Sequence, residues 1–290
     1  MNNAKNLFNF KTIMAISLSL LLLVLPVVTS NGVAFASEPE EIVYYDDVIY
    51  HGTGAHVNDS YQINYDELVY DVAGYPSAPS LGIHDTSLDN ACATLGGANI
   101  VAFYDRFYPD LIPGYTPGAI APWGAYMYYI DQGLQPTIDL VATLHTLMNS
   151  ADGTTETEFK NGLQSFCASK GRSVSYTSFY NSSVNVNLSV LDTAFSQNKV
   201  GIIMCSTYNF VSSITMPDNA NYVYVAKLNS QVGHMMMVYG YRIHNYYVGG
   251  ELIRTDTFLT VSSGYSGGDR GYILLNDDLT IEKAYIVSIT

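Results

Sequence analysis

The hydrophobic pattern of this chain changes period once, near residue 199, and that change limits the folds open to it. Before it, apolar residues recur at helical spacing. Leu95, Ala98, Val101 and Ala102 give residues 91–108 an apolar side, and Leu140, Leu144, Leu147 and Met148 do the same for residues 137–148. Thr155 and Glu158 have the spacing of a capping box, opening a third helix that Gly171 ends. Val190, Leu191, Ala194 and Phe195 mark a short fourth. After residue 199 the runs 200–206, 222–228, 234–243, 252–262, 271–275 and 284–289 are rich in Val, Ile, Tyr and Thr and read as strands. Gly249-Gly250 is a hairpin signal. Helices first and strands afterwards predict an α+β fold, with an N-terminal helical half packed on a C-terminal antiparallel β-sheet.

Two residues on opposite sides of that change point to a chemistry. Cys92 opens the first helix, and His234 opens a strand 142 residues later. A cysteine at a helix N-terminus sits at the positive end of the helix dipole, which favours thiolate. A histidine on a neighbouring sheet takes the thiol proton and later returns it. Asp89 or Asn90 is the expected helix cap. Gly96 and Gly97 weaken the helix, and close packing against another element is the expected compensation.

The N-terminus predicts export. Lys5 and Lys11, an apolar run over residues 13–28 and the small-residue site Ala34-Phe35-Ala36 are the three parts of a secretory signal peptide. Cleavage is expected near Ala36. The run is shorter than the ~20 residues of a spanning helix, so a secreted or cell-surface protein with no membrane association after cleavage is expected. The formal charge is −14, and loss of two lysines with the leader makes it −16. Such a chain repels phosphate backbones, which argues against nucleic acid as a partner. Residues 37–76 are acidic, tyrosine-rich and without clear periodicity, and read as an N-terminal extension or pro-segment. Residues 77–290 read as one domain.

An odd number of cysteines in an exported protein leaves a free thiol or an intermolecular bridge. Cys167 lies beside the Phe159/Leu163/Phe166 stripe and Cys205 lies in an apolar strand. Both read as core thiols, and a disulfide between these two is left open. His84, His145, His234 and His244 lack compact ligand spacing, so no metal site is expected. Asn276-Asp277-Asp278 reads as a polar turn, and His145 as a structural residue of the second helix.

Three segments, in order, resemble a known family. Asn90-Ala91-Cys92-Ala93-Thr94-Leu95-Gly96-Gly97 resembles the nucleophile helix of papain-like cysteine peptidases. Gly233-His234-Met235-Met236-Met237-Val238-Tyr239-Gly240 resembles their histidine strand. Phe258-Leu259-Thr260-Val261-Ser262-Ser263-Gly264, followed by Gly271-Tyr272-Ile273, resembles the last catalytic strand and hairpin. The likeness is greatest to the bacterial branch similar to the bacteriocin-processing peptidases that act on double-glycine leaders, and it spans roughly residues 80–290. The spacing agrees with the ~130–150 residues usual between cysteine and histidine in papain-type enzymes.

The resemblance implies that Cys92 is the nucleophile and His234 the base and then the acid. Ser262, or Ser263 if the register slips by one, stands where the family carries the Asn or Asp that orients the histidine. Thr86 stands in place of the family's oxyanion-hole glutamine, so Asn90, Thr86 and Asp85 are the candidates for that role beside the Cys92 N–H. The expected function is that of an exported cysteine hydrolase, a peptidase acting on a peptide or protein substrate through a Cys92 thioester, without a cofactor. The departures at Thr86 and Ser262 sustain a second reading, a catalytically degenerate domain that binds a peptide or protein partner in the same cleft.

Overall fold

The computed structural model describes residues 41–44, 63–72, 88–115, 119–120, 126–127, 135–181, 185–211, 224–227, 233–248, 250–264, 271–275 and 279–290. The expected signal peptide and the residues Asp85, Thr86 and Asn276-Asp277-Asp278 lie outside the described residues. No helix among the described residues is long and apolar enough to cross a membrane.

Four α-helices stand among the described residues: α1 (Cys92–Asp105), α2 (Gln135–Leu147), α3 (Glu156–Ser169) and α4 (Leu188–Ser196). The helix α1 is the centre of the packing, because every residue after Cys92 is buried. A helix buried all round needs small residues where its neighbours come close, and the two glycines supply them in two directions. A Cβ on Gly96 would stand 3.0 Å from Ile202 Cδ1, on the sheet side. A Cβ on Gly97 would stand 2.8 Å from Met148 Cε, on the side of α2 and α3. The capping box at the start of α3 is present: Thr155 Oγ1 accepts from the Glu158 N–H, and Glu158 accepts from the Thr155 N–H. The strand segment and α1 are tied directly where Tyr104 Oη donates to the Val287 carbonyl at 2.7 Å.

Strands β1 (Glu41–Tyr44), β2 (Ile63–Asp71), β5 (Val174–Ser178), β8 (Val200–Thr207), β9 (Asn209–Val211), β10 (Tyr224–Lys227), β11 (His234–Val248), β12 (Glu251–Ser262), β13 (Gly271–Leu274) and β14 (Thr280–Ile289) form one sheet. The numbers β3 (Ala119–Ile120), β4 (Tyr126–Met127), β6 (Tyr180–Asn181) and β7 (Asn185–Val186) belong to two small hairpins. The sheet order is β1-β10-β9-β13-β12-β11-β8-β14-β5, every pairing is antiparallel, and β2 lies beside β11. The fold is therefore α+β, with helices packed on an antiparallel sheet.

The long strand β11 organises the centre. His234 to Val238 pair with β8, and Gly240 to Val248 pair with β2. Residues 63–71 thus form a strand of the sheet, although they fall in the stretch read from sequence as an extension. Tyr70 stacks on Tyr241 with ring centroids 4.5 Å apart, and Val72 N–H donates to the Tyr239 carbonyl at 2.9 Å. The sequence hides this strand because Leu68 and Val69, neighbours on opposite faces, are both exposed. An edge strand open on both faces carries no apolar alternation.

A buried acid ends α1. Asp105 accepts the Ile112 N–H at 2.8 Å through Oδ1, while Oδ2 has no hydrogen-bond partner among the described residues. Burial pushes this carboxyl up to about 6; the Ile112 N–H opposes the shift, Asp110 adds to it and Lys170 opposes it. The folded chain therefore binds this proton more tightly than the unfolded chain. The stability it contributes is full below about pH 4 and is lost as pH rises through about 6. Asp105→Asn should raise the melting temperature at pH 7–8, by on the order of 1 kcal/mol of stability, and flatten the change between pH 4 and 6. Melting curves of both proteins across that range check it. A variant that melts lower at pH 8 would contradict it.

Candidate active site

The turn before Cys92 is held by contacts distant in sequence. Asn90 adopts a left-handed backbone, φ 53°, and its Nδ2 donates to the Ala151 carbonyl at 2.7 Å. His145 on α2 donates from Nε2 to the Asp89 carbonyl at 2.9 Å, which gives that residue its structural role. Thr94 and Ser150 hydroxyls meet at 3.0 Å. The turn is thus moored to α2 and to the connection between α2 and α3.

This mooring leaves α1 without the expected cap. Ala91, not Asp89 or Asn90, holds the cap position, and it makes no side-chain cap hydrogen bond. The first helical bond runs from Leu95 N–H to the Ala91 carbonyl. The N–H groups of Cys92, Ala93 and Thr94 precede it and have no main-chain acceptor inside the helix. An Asn90 side chain folded back as a cap would have filled this end. Turned away, it leaves the partial positive charge for the sulfur.

His234 is buried at the start of β11, opposite Cys205 of β8. Its Nε2 lies 2.7 Å from the main-chain oxygen of Ser263. A carbonyl only accepts, so Nε2 carries a proton and donates it. In the neutral ring this leaves Nδ1 as the nitrogen with a lone pair. The ring stacks on Tyr208, centroids 6.0 Å apart and planes 24° off parallel.

The Cys92 thiol hydrogen-bonds His234. Burial alone would push this thiol up. The hydrogen bond and charge of His234, then the N–H groups of Met235 and Ala93, outweigh burial and hold it below its ordinary value. Cys92 keeps partial solvent exposure. Cys167 and Cys205 are opposite in kind: both are free, buried thiols with no bridge between them, and burial pushes Cys167 up to about 12 and Cys205 further still.

Ser262 does not meet His234. Its Oγ is buried and has no hydrogen-bond partner among the described residues. The cause is strand alternation, which sends neighbouring side chains to opposite faces. Leu259 and Val261 face the core beneath the helices, so Thr260 and Ser262 turn to the other face. Of the oxyanion candidates, Asn90 directs its amide to Ala151, and Asp85 and Thr86 lie outside the described residues. The partner of His234 that residue types could not announce is the Ser263 carbonyl, since a main-chain oxygen has no signature in residue type. The one available hint is Gly264 directly after it.

Among the described residues no group of three or more His, Cys, Asp or Glu side chains is placed to hold a metal ion. No family model, curated protein or solved structure matches this chain.

Proposed function

We propose that the protein is an exported cysteine hydrolase with a papain-like arrangement, a peptidase acting on peptide or protein amides. One observation carries this reading: an unbroken run of contacts from the Cys92 thiol through His234 to the Ser263 carbonyl. It unites a partly exposed, acid-shifted thiol, a base within reach and a group that fixes the base's tautomer.

The chemistry follows from these atoms. The Cys92 thiolate attacks the amide carbon, and the carbonyl electrons move to oxygen. The N–H of Cys92, at the open end of α1, donates to that oxygen. The imidazolium Nδ1–H protonates the departing amine, the C–N bond breaks, and a thioester remains on Cys92. Neutral His234 then takes a proton from water, whose oxygen attacks the thioester. Collapse of this second adduct releases the carboxylic acid and restores the thiolate beside imidazolium. The Ser263 carbonyl has no net charge, so it supports the imidazolium by its dipole and by a fixed hydrogen bond.

Incubation with a mixed peptide library, read by mass spectrometry, tests the proposal. The wild-type protein should cleave peptides, and Cys92→Ala should fall to background. Ser262→Ala and Ser263→Ala should stay within about threefold of wild type, because neither removes the acceptor of the His234 proton. Equal cleavage by wild type and Cys92→Ala would remove the catalytic assignment. A reactive Cys92 with no cleavage in any library would replace the enzyme with a binding domain.

A further inference from the structure

We propose that Gly264 is a positioning residue for the active-site imidazole: its left-handed backbone aims the Ser263 carbonyl at His234. This rests on the reading of Cys92 and His234 as the reacting pair. The ladder between β11 and β12 ends close to His234. Its last pair at this end is Met237 with Ser262. The ladder's register begins there, three residues after the start of β11 at His234. Ser263, the first residue past the ladder, gives its carbonyl to the His234 side chain in place of a β11 main-chain N–H. One residue after His234, the Met235 N–H reaches the Cys92 sulfur. The end of the ladder is therefore where the imidazole meets both the Ser263 carbonyl and the sulfur.

The direction of the Ser263 carbonyl is a property of the peptide plane between residues 263 and 264. The torsions on either side of that plane set it, and one of them is φ of Gly264, at 75°. A residue with a Cβ is strained at such an angle, because the Cβ crowds the carbonyl oxygen. Relief comes by rotating the plane, which swings the carbonyl away from Nε2. Gly264 is buried, so its neighbourhood also resists a side chain. The chain itself shows which substitute tolerates this backbone. Every described non-glycine residue at positive φ is an asparagine: Asn90, Asn149, Asn185 and Asn198. Effects should therefore rank Val above Ala above Asn.

The test compares wild type with Gly264→Asn, Gly264→Ala and Gly264→Val. Three readouts are taken: the pH profile of Cys92 alkylation by iodoacetamide, the proton–nitrogen NMR signal of His234 Nε2–H in ¹⁵N-histidine-labelled protein, and the melting temperature. In folded Gly264→Val the Nε2–H signal should be lost or moved, and alkylation near pH 6 should slow about tenfold or more. Gly264→Asn should keep both features near wild type, with Gly264→Ala between. A folded Gly264→Val with the wild-type signal and alkylation profile would overturn the proposal. If Gly264→Val does not fold, equal profiles for the Ala and Asn variants overturn it, and an Ala profile slower than Asn supports it. Loss of fold in all three overturns it too, because the turn then serves the fold and not the imidazole. A wild-type Cys92 no more reactive near pH 6 than an ordinary thiol would instead sink the reading of the site itself, whatever the variants do.

Discussion

Replacing His234 by alanine should strip Cys92 of its reactivity near pH 6 and lower peptide hydrolysis by about 10³-fold or more. Burial is the largest influence on this thiol and favours the neutral form. His234 opposes it twice, as a hydrogen-bond partner and as a charge, while Met235 and Ala93 contribute only main-chain N–H groups. Without the imidazole, burial prevails and the thiol rises. The proposed reaction also loses its proton donor for the leaving amine and its base for water. His234→Gln separates these roles, since an amide keeps a hydrogen bond but carries no proton between steps. It should preserve the fold and remain as inactive as alanine. Alkylation rates of Cys92 against pH, with peptide cleavage on the same samples, check the prediction. A His234→Ala protein with the wild-type alkylation profile would show that the helix end alone activates the sulfur.

Deletion of residues 37–72 should cost the domain its cooperative fold. The strand β2 pairs with β11 from Gly240 to Val248, so its loss strips one edge from the central strand. Asp71 approaches Arg242 at 3.9 Å with both side chains largely buried, and its carboxylate sits over Gly240, where a Cβ would collide with it. Removing one partner of a buried pair costs about 3–5 kcal/mol. The lost Tyr70–Tyr241 stack adds about 0.5–1.5 kcal/mol. Together these rival the ~5–15 kcal/mol by which ordinary domains are stable. Thermal melts of chains starting at residues 37 and 73 measure the effect. Equal melting temperatures would mark β2 as dispensable and the segment as separable from the sheet.

The parts of this structure legible in the sequence were those written in local pattern. The Thr155/Glu158 box announced α3, and the runs of Val, Ile and Tyr announced β8, β11 and β12 within a few residues. Cys92 at the start of a helix and His234 at the start of a strand were readable for the same reason, and the fold brings the two side chains together. What escaped was non-local or carried by main-chain atoms. Asn90 has the residue type of a cap, yet it bonds a carbonyl 61 positions away and leaves the helix end open. Ser262 had the right place in a motif but the wrong face of a strand, and a shift of one residue is enough to turn a side chain away from its target. The acceptor that replaces it, the Ser263 carbonyl, is a group every residue owns.

The three cysteines allow the central claim to be tested within one molecule. Native protein is treated with iodoacetamide across about pH 5 to 9, quenched, digested and mapped by mass spectrometry, giving a rate for each sulfur. Cys92 should label quickly well below the range of an ordinary thiol, following thiolate formed against His234. Cys167 and Cys205, buried and pushed up, should stay unlabelled until the fold is lost. A Cys92 that labels only at alkaline pH, or no faster than the two core thiols, would contradict the account.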